Sequence, residues 1–198
     1  MDGKNKILDA ARTVIIRSGV NGATVRAIAI EANMTTGAIY HHYKNKEDLL
    51  YDLMNESLSV SSQIAKEMTG DSYSKERIKI EIARNTAERF HKDAENRLQY
   101  HFAHEVLLGN MDAQLKLKDK YAEWTKQIEQ ILIHLYGLEN TRLNIAFSSW
   151  LIGAVDGVVL QYLLDVNENS IDEMMEVFDL LLEKGLPSFV ERLNEQDK

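Results

Sequence analysis

Apolar residues recur at three- and four-residue spacing along most of the chain, beginning with Ile7, Leu8, Ala11, Val14 and Ile15. This spacing places them on one face of a helix. The same spacing predicts further helices over about 25–32, 36–43, 46–69, 74–92, 94–108, 111–136, 141–164 and 171–184, with a short tail after Pro187. Because Pro187 is the single proline in 198 residues, long uninterrupted helices are permitted almost everywhere. We therefore expect an all-α fold of about nine helices.

The first three predicted helices are short and are separated by recognisable stop and start residues. Gly19 can end the first helix in a left-handed conformation, and Thr24 can cap the second. Asn33 tolerates the left-handed turn that follows, and Thr35 can cap the third helix. Two short helices joined by such a turn predict a helix-turn-helix motif.

Spacing within this motif has a steric reason. Ala29 is small where the third helix would cross closely, Asn33 takes the turn four residues later, and Ile39 would fill the gap between the two helices. The alternative is a helical hairpin inside an ordinary all-α core. The polar and aromatic residues clustered at 40–46 favour a DNA-binding face over that alternative.

The later helices also carry cap signals. Asn45 precedes a fourth helix with Asp48 at its third position, and Ser170 with Glu173 forms a capping box. The apolar face of the fourth helix comprises Leu49, Leu50, Leu53, Met54, Leu58 and Ile64. Helix ends are expected at Gly70, Gly109, Gly137 and Gly185.

Composition and charge narrow the class of protein. Since the chain has no cysteine, it has no disulfide, thiolate nucleophile or zinc-thiolate site. Its net charge of −8 argues against a protein that simply coats nucleic acid or an anionic membrane. Residues 1–46, however, carry seven Lys/Arg against three Asp/Glu, a balance of +4, and the remainder carries 16 against 28, a balance of −12. This division predicts a DNA-binding domain over 1–46 and an acidic domain over 47–198.

One segment, residues 145–164, is long and apolar enough to resemble a membrane span. Asp156 lies in its middle and Gln161 follows, and a charged residue there opposes insertion into lipid. We interpret the segment as a helix buried in protein. The polar start of the chain lacks the features of a secretory signal, so we expect a cytoplasmic protein.

The segment TVRAIAIEANMTTGAIYHHYKNKEDLL, within about residues 7–53, closely resembles the signature of the TetR family. That resemblance implies a bacterial transcription regulator, in most cases a repressor. It would bind palindromic operator DNA as a homodimer and release it when a small ligand enters the C-terminal domain. Asn33 stands where the family usually has Gly, and Tyr43 takes the family's usual Phe position, which suggests a core residue.

The resemblance also implies the residues that contact DNA. Thr24 and Arg26 would contact the backbone or groove, and the start of the third helix would lie against base edges. Tyr40, His42 and Lys46 would hold phosphates. The full predicted set is Thr24, Arg26, Thr35, Thr36, Gly37, Ala38, Tyr40, His41, His42, Lys44 and Lys46. Because Thr36, Gly37 and Ala38 offer one hydroxyl and little bulk, DNA shape and thymine methyl contacts would supply much of the specificity.

A face of small residues in the apolar segment suggests a dimer interface, since small residues let another helix approach closely. In the family, the last two long helices pair across a twofold axis. The predicted interface is Trp150, Gly153, Ala154, Gly157, Leu160, Met174, Val177, Phe178 and Leu181. The alternative is packing of this face within one chain.

Evidence for a ligand site is weaker and consists of polar and aromatic residues in the central helices. The candidates are Phe90, Tyr100, Phe102, His104, Leu107, Tyr121, Trp124, Phe147 and Trp150. His101, His104 and Glu105 cluster on one helix turn, and His101 with Glu105, four residues apart, could share a metal. A solvated or hydrogen-bonded face is the favoured alternative and the order is not that of a zincin, so we predict no metal and no cofactor. Two other functions are alternatives to a regulator: a helical enzyme, for which the sequence contains no phosphate loop or catalytic motif, and a non-transcriptional DNA or partner-binding protein.

Overall fold

In the computed structural model, residues 3–58, 64, 74–139 and 142–195 are described, and all regular structure among them is helical. The α-helices are α1 (Gly3–Gly22), α2 (Val25–Glu31), α3 (Thr36–His42), α4 (Lys46–Leu58), α5 (Lys75–Phe90), α6 (Asp93–Leu107), α7 (Met111–Tyr136), α8 (Asn144–Leu163), α9 (Ile171–Leu180) and α10 (Leu186–Glu195). A π-helical turn, Leu181–Gly185, joins α9 to α10 without a break. The predicted all-α fold is confirmed.

The chain divides into two compact units. The head unit contains the described residues of 1–58 and 92–114, and the body unit contains those of 59–91 and 115–198. The predicted division into 1–46 and 47–198 concerns functional domains and stays a prediction.

The head unit packs α1 against α2, α4 and α6. Its fully buried side chains come from every helix of the unit and include Ile7, Ile15, Ile28, Ile39, Leu49, Leu53 and Leu98. A buried carboxylate, that of Glu95 in α6, accepts a hydrogen bond from Arg12 Nε at 2.6 Å. Arg12 also contacts Asp9 of its own helix at 2.6 Å. The ion pair between Arg12 and Glu95 joins α1 to α6 across 83 positions of sequence.

Two apolar clusters lie among the described residues of the body unit. One contains Ile64, Ile78, Ile131 and Leu135, and the other contains Leu132, Leu138, Val190 and Leu193. Ile64 is therefore buried, as predicted, whereas the side chain of Leu58 and the predicted end at Gly70 lie outside the described residues. The predicted start of a helix at Thr141 also lies outside them, and α8 begins at Asn144.

The C-terminal end differs from the prediction. We expected Gly185 to end a helix and a short tail to follow Pro187, and both expectations are wrong. Gly185 lies inside the π turn, and Pro187 is the second residue of the ten-residue helix α10. Proline is tolerated in the first turn of a helix because the missing N–H is not needed there.

The apolar helix α8 is, among the described residues, the one helix that has the length and composition of a membrane span. Only 11% of its most apolar window is buried within the chain. Its Asn144, Ser148 and Val159 are buried, so the expectation of a helix buried in protein holds for one side alone.

Candidate functional site

The helix-turn-helix is built as the sequence predicts. Thr24 Oγ1 accepts from the Ala27 amide at 3.1 Å and caps α2, and Thr35 Oγ1 accepts from the Ala38 amide at 3.2 Å and caps α3. Between the two helices Asn33 has a φ of 51°, in the left-handed region. An asparagine adopts this conformation more readily than other non-glycine residues.

Packing between α2 and α3 also matches the prediction. Ala29 is 3% exposed and Ile39 is 1% exposed. Both residues are thus interior, and α2 and α3 are in contact. The motif is therefore held as a rigid element that presents one face of α3.

The eleven predicted DNA-contact residues all lie at the surface of the head unit. Ala38 and Lys46 are half-buried, and the other nine are exposed, including the Tyr40 ring at 56%. Around Gly37 the backbone is open, since a Cβ there would meet only Thr35 Oγ1, at 3.7 Å. The start of α3 could thus approach another molecule closely. Whether these residues contact DNA stays a prediction.

The seven Lys/Arg of residues 1–46 differ in whether they form ion pairs. Lys4 pairs with Asp52 at 2.9 Å, Arg12 with Asp9 and Glu95, and Arg17 with Glu31 at 2.8 Å. Within the described part of the chain, four others have no ion-pair partner: Lys6, Arg26, Lys44 and Lys46. Arg26 lies in α2 and Lys44 and Lys46 follow α3, so three of these four charges belong to or adjoin the helix-turn-helix, where a polyanion could reach them.

Sequence reasoning missed a polar network behind α3. Tyr43 is buried, as predicted, but its hydroxyl donates to Asp52 Oδ2 at 2.8 Å, and the same carboxylate faces Lys4 Nζ. Burial, and then the hydrogen bond to Asp52, raise the pKa of Tyr43 far above its usual range. One carboxylate of α4 thereby joins α1 and the end of α3.

The candidate ligand residues do not form one group. Tyr100, Phe102, His104 and Leu107 belong to the head unit, where Leu107 is 84% exposed. Phe90, Tyr121, Trp124, Phe147 and Trp150 belong to the body unit. Their role in ligand binding stays a prediction.

Within the body unit, Asp156 of α8 is the centre of a polar cluster. The Tyr121 hydroxyl of α7 donates to Asp156 Oδ2 at 2.7 Å, and Arg89 Nη2 of α5 lies 3.6 Å from Asp156 Oδ1. The Tyr121 and Trp124 rings meet edge to face at 5.2 Å. Sequence reasoning did not identify Arg89, although a charged residue at 156 in an apolar run signalled that a partner was needed.

The predicted dimer face is uncovered in the single chain. Trp150 is 68% exposed, and Gly153, Ala154 and Gly157 are exposed beside it. Within the part of the chain that the structure describes, a Cβ built on Gly153 or Gly157 meets no atom within 4 Å. On α9 and the π turn, Val177 and Leu181 are about half exposed, and Met174 and Phe178 are half-buried, as is Leu160 of α8. The alternative was that this face packs against another helix of the same chain. No described residue packs against it at Gly153 or Gly157.

No group of three histidine or acidic side chains converges as a metal site in the part of the chain that the structure describes. His101 of α6 is half-buried, and burial lowers its pKa. The neutral form is then favoured near neutral pH.

These features define a class: an all-helical protein with an exposed helix-turn-helix, whose flanking residues include cations without an ion-pair partner among the described residues. Comparisons with known proteins agree. Residues 7–53 match the model of the tetR family of bacterial regulatory proteins. The chain is 33% identical over 55 residues to the transcriptional repressor KstR2 of Mycolicibacterium smegmatis, covering 28% of this chain and 27% of that protein. It is 26% identical over 188 residues to the transcriptional regulator BetI of Vibrio atlanticus, covering 92% and 91% of the two chains.

A solved structure extends the likeness to the fold of both units. The fatty acid degradation regulator FadR of Bacillus halodurans superposes with a TM-score of 0.67 at 24% identity, covering 94% of this chain and 97% of that one. The first curated relatives are matched over only 27–36% of their length. The likeness to the tetR family of bacterial regulatory proteins is therefore specific over residues 7–53, and beyond them it is a likeness of fold and of overall sequence at 26% identity or less.

Proposed function

We propose that the protein represses transcription by binding palindromic operator DNA as a homodimer, and that a small-molecule effector releases it. The observation that carries this proposal is the exposed α2–α3 face together with Arg26, Lys44 and Lys46, which have no ion-pair partner among the described residues. Cations beside a helix that fits the major groove supply affinity for phosphates, and the helix supplies contacts to base edges.

Dimerisation is supported by the uncovered apolar face of α8 and α9. A large exposed apolar patch on a water-soluble surface is costly and often marks an interaction site. A second copy of the same face would cover it with twofold symmetry. Two heads related in this way would read two half-sites about one helical turn of DNA apart.

Release by an effector requires that the effector prefer the conformation that does not bind DNA, because a ligand shifts an equilibrium only by its differential affinity. The polar and aromatic groups of the body unit support a ligand site there. We further propose a cytoplasmic protein that acts by binding and not by catalysis, in line with the regulator names of its relatives.

The test is selection of DNA fragments from random or genomic DNA by the purified full-length protein. Enrichment of a palindrome with two half-sites supports the proposal. Many weak, unrelated sites would favour a non-transcriptional DNA-binding protein, and no enrichment over competitor DNA would contradict the proposal.

A further inference from the structure

A charged side chain lies in the interior of the head unit. Glu95 of α6 is 2% exposed, and Nε of Arg12 in α1 donates to its Oε1 at 2.6 Å. Nη1 of the same guanidinium donates to Asp9 of α1 at 2.6 Å, so Arg12 is fixed from both helices. A buried ion pair is seldom needed for stability alone, because two apolar side chains of similar volume often serve the fold equally well.

The interior side of α6 is polar at more than this one position. Asn96 and Gln99 are each 2% exposed, as Glu95 is, and all three lie within the first two turns of α6. The helix is in contact with α1 and α4 of the same unit. Buried hydrogen bonds and ion pairs are satisfied at few relative positions of two helices, so they specify one arrangement more sharply than apolar contacts do.

Helix α1 connects α6 to the helix-turn-helix. It is in contact with α6 on one side of the chain's order and with α2, the first helix of the motif, on the other, and α2 is in contact with α3. A second ion pair, Arg17 with Glu31 at 2.8 Å, joins α1 to α2. A displacement of α1 relative to α6 would therefore displace α2 and α3 as well.

The path of the chain gives the position of α6 a consequence outside the head unit. Residues 92–114 belong to the head unit, whereas the chain immediately before and after them belongs to the body unit. Both ends of α6 thus lead into the unit that carries the proposed dimer face. Since the two heads of a dimer must match the spacing of two half-sites, the position of the helix-turn-helix on α6 bears on which spacing is accepted.

We propose that Glu95 is a positioning residue for DNA recognition. Through Arg12 it fixes α1, and with α1 the helix-turn-helix, at one position on α6, and it thereby sets the half-site spacing that the dimer accepts. This inference rests on the proposed function, the recognition of a palindrome by a homodimer. The competing role is purely structural: the ion pair would stabilise the head unit without affecting the choice of DNA.

Replacing both charges together separates the two roles. Arg12→Met/Glu95→Met keeps side chains of similar length, and its Tm should equal or exceed that of wild type, because an apolar pair is often as stable as a buried ion pair. Arg12→Met alone leaves the Glu95 carboxylate buried without its cation and should lower the Tm. The matched control is Asp93→Met/Arg97→Met, which removes an exposed ion pair of 2.7 Å within α6.

The measurement is equilibrium binding of each full-length protein to the selected palindrome, to the same palindrome with one base pair inserted at its centre, and to unrelated DNA. The insertion moves the half-sites apart by about 3.4 Å and turns them by about 34°. Wild type and the control should prefer the original spacing at least about tenfold. In Arg12→Met/Glu95→Met this preference should fall at least about threefold, while affinity for unrelated DNA is unchanged because the net charge is unchanged.

The spacing preference is a ratio of two affinities of one protein, so a partial loss of folded protein does not change it. A double variant that keeps the wild-type preference would show a purely structural role and overturn the proposal. So would an unchanged Tm in Arg12→Met, since the pair would then not hold α1 on α6. If the double variant does not fold, Glu95→Gln, which weakens the pair but keeps its shape, should lower the preference about twofold, and an unchanged preference would overturn the proposal.

Failure of the proposed function gives a different result. A wild-type protein that selects no palindrome, or binds both spacings equally, would contradict recognition by a homodimer and the positioning role with it. A wild type that prefers one spacing, together with a double variant that shares this preference, would remove the role of Glu95 alone and leave the regulator in place.

Discussion

At the scale of one residue, Tyr43 fills the interior position that the sequence pattern predicts and also forms a hydrogen bond that the pattern does not predict. The TetR-family signature usually has phenylalanine at this position, and a phenylalanine ring would fill the same interior space. The tyrosine adds a hydroxyl that donates a hydrogen bond to Asp52. The apolar pattern and the resemblance were sufficient to predict burial of Tyr43. They could not identify Asp52 or Lys4, since that contact depends on how α1, α3 and α4 pack in three dimensions.

Tyr43→Phe should lower the free energy of unfolding by about 1 to 2 kcal/mol, because a partly buried hydrogen bond to a charged group is lost. Urea denaturation with a constant m-value measures this change. Tyr40→Phe, at a ring that is 56% exposed, is the control and should change stability little. Equal stability of wild type and Tyr43→Phe would mean that the hydroxyl contributes nothing to folding.

At the scale of elements, the helix starts were more predictable than the C-terminal helix ends. Caps such as Thr24, Thr35 and Ser170 act through local hydrogen bonds, which the sequence displays. The continuation through Pro187 was not predictable in this way. It depends on a π turn in which the Leu186 amide bonds to the Leu181 carbonyl, and on Tyr136, whose hydroxyl donates to the Leu182 carbonyl at 2.6 Å.

The contact of Tyr136 with the π turn predicts a dependence of stability on pH. Burial, and then the nearby Glu183 carboxylate, raise the pKa of Tyr136 to about 12. The folded protein therefore favours the neutral phenol, and this preference stabilises the fold. The stabilisation is fully present below pH 10, the ordinary pKa of tyrosine in an unfolded chain, and is lost as the pH rises from 10 to about 12.

Tyr136→Phe removes both the hydrogen bond and this titration. The variant should be less stable than wild type by about 1 kcal/mol at neutral pH, and the difference should shrink between pH 10 and 12. Denaturation at a series of pH values tests this. A difference that stays constant across that range would show that Tyr136 ionises equally in both states.

At the scale of the whole molecule, the sequence shows that residues 1–46 are basic and the remainder is acidic. It does not show which of the basic side chains are already engaged in ion pairs. Of the seven Lys/Arg in residues 1–46, ion pairing occupies Lys4, Arg12 and Arg17. Likewise α6 belongs to the head unit although it follows α5 of the body unit, because Glu95 pairs with Arg12 far away in sequence. Such long-range contacts leave no periodic pattern from which they could be predicted.

Lys46 should contribute to DNA affinity without contributing to sequence preference. Lys46→Ala is expected to weaken binding to all sequences about equally and to lower the slope of log affinity against log salt by about one unit. Lys118→Ala, an equal change of charge at an exposed position of α7, should leave the slope unchanged. An altered sequence preference in Lys46→Ala would contradict the phosphate assignment.

Gly157 tests the dimer face. Gly157→Leu has space for its side chain within one chain, so it should leave the protomer folded but obstruct a closely approaching copy. Analytical ultracentrifugation should show dissociation to monomer, whereas Gln130→Leu, exposed on α7, should remain dimeric. A Gly157→Leu variant that sediments as wild type would place the interface elsewhere.

The most direct test of the central claim is equilibrium binding of the full-length protein to the selected palindrome and to the same palindrome with five base pairs inserted at its centre. The insertion turns the half-sites to opposite faces of the duplex, since one helical turn is about 10.5 base pairs. We predict affinity for the intact palindrome at least about a hundredfold above that for unrelated DNA, and loss of most of this advantage on insertion. Equal affinity for the palindrome, the insertion variant and unrelated DNA would contradict the account.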